Sequence, residues 1–251
     1  MIQLVVQGDD AGMCHSVNQA VAAAFSEGIL TQVSVMAPCP WVDEATAIIR
    51  RLGIPAGLHQ TLTSEWDHLR WGPITRQPAL AGPDGTFPRT VVAAQAAVAG
   101  APDGAAAAEL LAQAARVTAA GVALTYLDVH MGMVAPAAYA EVTTRLRLPF
   151  LYPGLDSSLR FASIAMLSAR PAGEKKAWLL EHVATLGPGR HLLVTHPGTP
   201  GEELSSLTSP DSASWPWAAE YRVSDLEVLT DPGVRRGVES RGIKLVAVAD
   251  G

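Results

Sequence analysis

Two adjacent carboxylates, Asp9 and Asp10, follow a short apolar run near the N-terminus of the chain. Two such groups side by side repel each other, and the repulsion raises a pKa unless a proton or a cation relieves it. A single carboxylate at this position would indicate only a capped turn. The pair therefore indicates a bound cation, whose other ligands should lie elsewhere in the sequence.

Three further apolar runs also end in side chains that bind metals or transfer protons. These runs end at His59, at Asp128 and His130, and at His196. A lone histidine is more often a packing or surface residue, so none of these positions is informative by itself. Together on one rim they would be informative, because one carboxylate and two imidazoles with room for water form a hydrolytic metal site.

The other histidines are weaker candidates for metal binding or catalysis. His15 follows the acidic pair closely, and its position before a helix suits either a place beside the site or exposure to solvent. His68, His182 and His191 have no identifiable partner in the sequence. We expect these three to be structural or exposed.

The segments that carry these side chains alternate between strand and helix patterns, which predicts an α/β fold with a parallel sheet, closed or nearly closed. In such folds the carboxyl ends of the strands share the rim where the chemistry is placed. A first helix follows Ser16, which forms a capping-box pattern with Gln19. Other helix patterns occupy residues 41–52, 90–121, 174–186, 223–229 and 234–241. Strand patterns occupy residues 4–7, 31–36, 54–59, 125–130, 191–196 and 243–248.

Two long irregular segments interrupt this alternation. Residues 60–89 show no clear periodicity, but they hold Trp66 and Trp71, which disordered segments tend to lack. We therefore expect an ordered lid. The second irregular segment runs from the strand end at His196 to about Tyr221.

The composition limits the classes of protein to consider. The 251 residues are 49% hydrophobic and 17% charged, which predicts a single domain, residues 1–251, with a large core. A net charge of -6 without a block rich in Lys and Arg argues against nucleic acid as a partner. We find no signal-peptide pattern and no membrane-spanning stretch. Cys14 and Cys39 fit neither a disulfide framework nor a zinc-finger spacing, which favours free thiols and a cytoplasmic location.

Four motifs, in order, resemble those of the YdjC/ChbG-like carbohydrate deacetylases. They lie at residues 8–12, 57–63, 128–130 and 196–198, and the stretches 64–66 and 70–73 are similar to one branch of the family. The resemblance extends from the first strand to the last. It implies a single-domain distorted (β/α) barrel with fewer than eight regular strands and long irregular loops at the C-terminal rim. It also implies a metal-dependent enzyme that removes acetyl groups from N-acetylated sugars.

The resemblance assigns roles to the residues at the strand ends. Asp10, His59 and His130 would hold one divalent cation, with zinc as the first expectation and magnesium or another divalent cation as the alternative. Asp9 would be the general base that takes a proton from water. His196 would be the general acid that protonates the leaving amine, because histidine titrates in the useful pH range.

Two other residues are candidates for orienting the site. Asp128 could orient an imidazole that binds the metal. Arg222 could pair with an acidic group at the site, although the sequence alone fits a surface arginine better. The remaining candidates are four tryptophans of the irregular segments, which would either stack on sugar rings or fix the loops to the barrel: Trp66, Trp71, Trp215 and Trp217.

The chain departs from the family pattern in two places. Met131, Gly132 and Met133 stand where the family commonly has a further histidine, and Ala11 replaces an aromatic residue. Neither change removes an expected metal ligand. We expect both to alter the fit of the substrate.

Two other functions share these sequence features. A metal-dependent phosphoesterase could use the same ligands, but such sites usually add a second metal or a cationic clamp, and the four motifs hold neither Lys nor Arg. An inactive sugar-binding module would need neither Asp9 nor His196. An N-acetylated sugar is therefore the expected partner, and a homo-oligomer is compatible with the sequence.

Overall fold

The computed structural model describes residues 1–152, 159–209 and 219–250, and its centre is a seven-stranded sheet in which every pairing is parallel. The strands are β1 (Ile2–Ala11), β2 (Gln32–Val35), β3 (Ala56–Gln60), β4 (Leu124–Val129), β5 (Ser163–Met166), β6 (Gly189–Thr195) and β7 (Lys244–Leu245). Their order is β4-β3-β2-β1-β6-β5, and β7 also pairs with β1. The sheet therefore places β1 at the centre, with the predicted ligand strands β3 and β4 to one side and the His196 strand β6 to the other.

Helices connect and cover these strands. Their bounds are α1 (His15–Ser26), α2 (Val42–Leu52), α3 (Val91–Gly100), α4 (Ala105–Ala119), α5 (Pro136–Leu146), α6 (Lys175–Thr185), α7 (Glu202–Ser205), α8 (Ala219–Leu229) and α9 (Pro232–Ser240). Every residue of β1 from Leu4 to Ala11 is buried, as expected for a parallel strand covered on both faces. Within the described part of the chain, no helix is long and apolar enough to cross a membrane.

The sheet does not close into a full barrel. Among the described residues no strand pairing joins the two edge strands β4 and β5. An isolated parallel bridge between Leu127 and Phe150 extends the β4 edge. The arrangement confirms the expectation of a parallel α/β fold of the distorted-barrel type.

The strand and helix patterns agree with most of these elements, and the differences have physical causes. The strand expected at residues 243–248 is only Lys244–Leu245, followed by a single 3₁₀ turn from Val248 to Asp250. The edge strand β5 was not predicted, because it has four residues and is partly exposed along its length. The helix α5 was also missed, since its apolar side chains face the core over only three positions.

The lid predicted at residues 60–89 packs against α4 through buried polar groups. Glu109 accepts hydrogen bonds from the main-chain N–H groups of Ile74 and Thr75. Gln113, one turn further, donates to the Thr61 carbonyl and accepts from its N–H. These contacts provide partners for lid backbone that has no regular secondary structure, which agrees with an ordered segment.

The capping box predicted for α1 is not formed. The helix begins two residues earlier than that pattern implies, at His15 instead of Val17, and no side chain of its own caps it. Glu203 from α7 caps it instead, because its two carboxylate oxygens accept the N–H groups of His15 and Ser16 at 3.2 and 2.6 Å. A carboxylate at a helix N-terminus is also favoured by the helix dipole. The local sequence pattern gave no sign of a cap supplied from so far along the chain.

We expect Glu203→Ala to lower the free energy of unfolding by about 1 kcal/mol, the usual cost of a lost helix cap. Burial raises the pKa of Glu203, but its bonds to Ser16 and His15 lower it further, so the net pKa lies below the usual value. The contribution of Glu203 should therefore be present at neutral pH and be lost as the pH falls through that lowered pKa.

Urea unfolding of the two variants Glu203→Ala and Glu202→Ala measures this effect. Glu202 lies beside Glu203 in the first turn of α7, but its side chain is exposed. The Glu202 variant should be close to the parent in stability. Equal losses in both variants would show that the charge of α7, rather than the cap on α1, is what matters.

Candidate active site and metal centre

The end of β1 carries both adjacent carboxylates, and an irregularity in the strand separates them. The register between β1 and β2 shifts between Gly8 and Ala11. Within this shift Asp10 adopts a left-handed backbone conformation with φ of 68°. Aspartate tolerates this region better than most residues, and such conformations concentrate at functional sites. The shift lets Asp9 and Asp10 face different partners although they are neighbours in sequence.

The Asp10 carboxylate is buried between two imidazoles. Its Oδ1 lies 3.4 Å from His59 Nε2 and 3.3 Å from His130 Nδ1, longer than usual hydrogen-bond distances. Asp10 Oδ1 has no hydrogen-bond partner among the residues that the structure describes. Leaving a buried carboxylate oxygen without a partner is costly. One oxygen and two imidazole nitrogens, all within 4.8 Å of one another, are a donor set that suits zinc and similar divalent cations.

Asp128 orients His59. Its Oδ1 lies 2.9 Å from His59 Nδ1, and its Oδ2 accepts hydrogen bonds from Gln7 and Ser34. Because Asp128 acts as an acceptor, neutral His59 carries its hydrogen on Nδ1 and turns the Nε2 lone pair toward Asp10. Carboxylates commonly fix the tautomer of metal-binding histidines in this way.

Glu65 plays the corresponding part for His130. Its Oε2 lies 3.1 Å from His130 Nε2, which leaves Nδ1 to face Asp10. The indole of Trp71 packs edge-on against the same imidazole, with 6.2 Å between ring centroids. No sequence pattern predicts a role for Glu65, because it lies in the lid and shares no spacing with the strand ends. Its place in the stretch 64–66, which resembles one branch of the family, was the available signal.

Arg222 in α8 binds the other oxygen of Asp10. Its Nη2 donates to Asp10 Oδ2 at 2.6 Å, and the arginine is buried rather than on the surface. Arg222 packs against the turn that follows His196, where the Gly198 N–H donates to the Arg222 carbonyl at 3.0 Å. A Cβ atom on Gly198 would lie 2.5 Å from Leu204 and 3.0 Å from the Arg222 side chain. Glycine is therefore needed for this close approach.

The charges of the cluster shift the pKa values of its members. Burial raises the pKa of Asp10, but Arg222 and the two imidazoles outweigh burial and hold this pKa well below the usual range. Burial lowers the pKa values of both imidazoles, and carboxylates outweigh it. Asp128 and Asp9 raise the pKa of His59 well above the usual value, and the pKa of His130 rises to about 9. Protons therefore occupy the imidazoles at neutral pH unless a cation displaces them.

Asp9 and His196 face each other beside this cluster. Asp9 Oδ1 accepts a hydrogen bond from Gln7 at 2.7 Å, and Asp9 Oδ2 lies 3.8 Å from His196 Nε2. Burial raises the pKa of Asp9 to about 8 and lowers the pKa of His196 to about 3. Without a cation, Asp9 thus holds a proton at neutral pH and His196 is neutral. The sequence-based expectation that His196 titrates near neutral pH does not hold in this environment.

These side chains form the floor of a pocket of about 660 Å³, a volume typical of small-molecule sites. The lid contributes Glu65 and Trp66 to the lining. The rest of the lining includes apolar side chains from strands, loops and the start of α3: Val91, Val129, Met131, Met133, Tyr152 and Met166. The pocket thus combines a charged floor with a largely apolar wall.

The predicted tryptophans fall into different environments. Trp66 lines the pocket, yet both it and Trp71 are only 3% exposed. The Trp71 indole N–H donates to the Thr63 carbonyl at 2.7 Å. This burial favours a role in fixing the lid for Trp71. Trp66 is equally buried but also lines the pocket. Trp215 and Trp217 lie outside the described residues.

The two departures from the family pattern lie in different environments. Met131 and Met133 line the pocket and are 50% and 36% exposed, so they form part of its mouth. Ala11 is buried at the end of β1. His15 lies away from the pocket, where its exposed ring contacts Glu44 at 2.8 Å.

Comparison with known proteins identifies relatives over nearly the whole chain. The sequence model of the YdjC-like proteins matches residues 3–240. A carbohydrate deacetylase from Thermus thermophilus is 32% identical over 93% of this chain and 88% of its own length. Another, from Geobacillus stearothermophilus, is 26% identical over 96% and 95%. A human carbohydrate deacetylase is 27% identical over 99% and 91%.

Solved structures share the fold at low sequence identity. A structure from Enterococcus faecalis V583, described as a candidate cellobiose-phosphate cleavage protein, has a TM-score of 0.78 at 18% identity. The match covers 98% of this chain and 97% of that one. A peptidoglycan N-acetylglucosamine deacetylase has a TM-score of 0.54 at 10% identity, over 99% and 86%.

We expect the affinity of the site for zinc to rise with pH through neutrality toward about 9, the pKa of His130. Because the pKa values of His59 and His130 are raised, the metal must displace protons from imidazoles at neutral pH. Titration calorimetry at pH 7 in buffers of different ionisation enthalpy should show net proton release. A heat independent of the buffer would show that His59 and His130 do not lose protons on metal binding.

Proposed function

We propose that this chain, which belongs to the YdjC-like protein family, is a metal-dependent hydrolase that removes the N-acetyl group from an N-acetylated sugar. The observation that carries the proposal is the buried Asp10 Oδ1, which faces two imidazole nitrogens without a hydrogen-bond partner among the described residues. The names of the curated relatives supply the acetylated sugar as the substrate class. The products would be acetate and a sugar with a free amine.

The metal ligands in this proposal are Asp10, His59 and His130. A divalent cation, with zinc as the expected ion and magnesium or another ion as the alternative, would polarise the acetyl carbonyl and acidify a water molecule. The protein's own contribution is to hold the three donors in place. Arg222 fixes Asp10 through its second oxygen, while Asp128 and Glu65 fix the two imidazoles.

Asp9 is the proposed general base. Its Oδ1 is held by Gln7, so Oδ2 is the atom that accepts the proton from water. Burial raises the pKa of Asp9 to about 8, and a positive charge beside it would favour the ionised form and lower that pKa. The general base therefore depends on the occupied metal site.

His196 is the proposed general acid, and in this proposal it obtains its proton from Asp9. It is neutral at rest, because burial lowers its pKa to about 3. Its Nε2 lies 3.8 Å from Asp9 Oδ2, so Asp9 is the carboxylate that faces this nitrogen. The proton that Asp9 takes from water would pass to His196 Nε2 and then to the amide nitrogen as the C–N bond breaks. One proton thus moves from the water to the leaving amine.

The two rival functions receive less support. A two-metal phosphoesterase would need a second open ligand set, and Asp9, His59 and Asp128 do lie close together. However, the oxygens of Asp128 already accept hydrogen bonds from Gln7, Ser34 and His59. A sugar-binding module without activity would not need Asp9 and His196 in the pocket beside the metal ligands.

An assay of both reaction products tests the proposal. The chain is stripped with a chelator, reloaded with zinc and incubated with N-acetylglucosamine oligomers and acetylated glycoconjugates. We expect acetate and free amine to appear in equal amounts, and only after reloading. No release from any of these substrates by protein that demonstrably holds zinc would overturn the proposal, and phosphate release from sugar phosphates would favour the phosphoesterase.

We predict that Asp9→Asn keeps the metal but lowers kcat by about two to four orders of magnitude, the usual contribution of a general base. His59→Ala should lose the metal as well, because it removes a ligand rather than a proton acceptor. Metal analysis alongside the amine assay distinguishes the two outcomes. A metal-free Asp9→Asn variant would mean that Asp9, not Asp10, is the ligand.

We predict that His196→Ala lowers kcat on the N-acetyl sugar without changing the metal content. An activated acetate ester, whose leaving group needs no proton, should be affected much less, because only the amide requires a general acid. Parallel rate measurements on both substrates test this assignment. Equal losses on the two substrates would argue that His196 does not act as the acid.

A further inference from the structure

We infer that Ser168, held by Asp225, is a positioning residue that sets which nitrogen of His196 carries the hydrogen, a role that rests on the proposed function. Ser168 lies two residues after the end of β5, and its Oγ lies 2.9 Å from His196 Nδ1. The same hydroxyl donates to Asp225 Oδ2. The three side chains form a continuous hydrogen-bonded chain that leads from a helix to the pocket.

Asp225 is anchored so that it can only accept hydrogen bonds in this chain. Its Oδ1 accepts from Lys175 Nζ at 2.6 Å, and both partners of this ion pair are fully buried. Its Oδ2 also accepts the main-chain N–H of His196 at 2.8 Å. One carboxylate therefore holds His196 at two points, directly through the backbone and through Ser168 at the ring.

The direction of each hydrogen bond follows from counting protons. The Ser168 hydroxyl has a single hydrogen, and the Asp225 carboxylate takes it. Ser168 Oγ must then accept at its bond to His196, so Nδ1 of His196 carries the hydrogen. Nε2 is left with its lone pair on the side of Asp9. This is the nitrogen that takes up and delivers a proton in the proposed reaction.

A second serine–histidine pair, which lies within β5 and β6, has a hydrogen bond of the opposite direction. Ser163 Oγ lies 2.8 Å from His191 Nδ1, and each serine precedes its histidine by 28 residues. However, His191 Nε2 lies 2.9 Å from the Gly187 carbonyl, which can only accept. The hydrogen of His191 is therefore on Nε2, and its Nδ1 accepts from Ser163. The serine alone does not set the direction, and Asp225 makes the difference at Ser168.

The chain of hydrogen bonds also supports His196 after it has gained a proton. A protonated imidazole at Nε2 keeps its Nδ1–H bond to Ser168, and the Asp225 carboxylate lies behind that hydroxyl. Hydrogen bonds in such a series polarise one another in a buried environment. Without Ser168, His196 would lose both the bond that fixes its tautomer and the path to this carboxylate.

The experiment compares Ser168→Ala with Ser163→Ala in the full-length, zinc-loaded protein. We expect Ser168→Ala to lower kcat on an N-acetylglucosamine oligomer by about 10- to 100-fold, the usual effect of losing a group that orients a functional histidine. KM, zinc content and the rate on an activated acetate ester should change little. Ser163→Ala should keep the parent kcat. A kcat within two-fold of the parent for Ser168→Ala, or the same loss for both variants, would overturn the inference.

A second readout does not depend on activity, so it also separates this inference from the proposed function. Long-range ¹H–¹⁵N correlation spectra of ¹⁵N-histidine-labelled protein report the tautomer of each ring. We expect His196 of the parent protein to have its hydrogen on Nδ1 and His191 to have it on Nε2, with a mixed state for His196 in Ser168→Ala. A parent His196 with its hydrogen on Nε2 would overturn the inference even if the deacetylase activity were established.

Discussion

The arrangement of the site depends on one buried carboxylate, Asp10, whose two oxygens face different groups. Oδ2 is neutralised by the guanidinium of Arg222 at 2.6 Å. Oδ1 faces two imidazoles at 3.4 and 3.3 Å, which is longer than a usual hydrogen bond, and the protons on these imidazoles compensate its charge until a cation displaces them. Keeping such a group from water is costly unless a partner compensates it. A divalent cation suits both this oxygen and the imidazoles, and this is why we propose a metal centre at the end of β1.

A second feature follows from the first. Each of the three pocket histidines has a carboxylate behind its other ring nitrogen. His59 meets Asp128 and His130 meets Glu65, while His196 reaches its carboxylate through the hydroxyl of Ser168. These acceptors fix the tautomer of each ring. In the neutral imidazoles the lone pair of the other nitrogen therefore points into the site. The carboxylates come from a strand, the lid and a helix, so correct folding of the whole chain is needed to orient three rings.

The sequence predicts those parts of the site that lie on regular strands. Short apolar runs ending in Asp10, His59 and His130 identify strand ends, and parallel pairing brings such ends to one rim. The sheet of the structure agrees with this prediction through β1, β3 and β4. The last predicted strand, residues 243–248, was too long. The strand ends at Leu245, and a 3₁₀ turn follows from Val248 to Asp250. Periodicity and strand order thus predict much of the fold, and they bring the proposed ligands Asp10, His59 and His130 to one rim.

The supporting residues could not be predicted in the same way. Glu65 lies in an irregular loop, and Ser168 follows a short edge strand without a clear pattern. Arg222 lies on a helix that contacts the site from outside the sheet, and a charged residue on a helix is ordinarily exposed. Their roles depend on tertiary contacts between distant segments, as does the cap that Glu203 provides. A single sequence contains no spacing that would reveal such contacts.

The central claim is that Asp10 Oδ1, which has no hydrogen-bond partner among the described residues, binds a metal ion. The most direct test is anomalous diffraction at the zinc absorption edge from crystals of the zinc-loaded protein. We expect one strong peak per chain, bonded to Asp10 Oδ1, His59 Nε2 and His130 Nδ1. A structure in which zinc is bound elsewhere, or in which Asp10 Oδ1 instead takes a hydrogen bond from the protein, would contradict the claim.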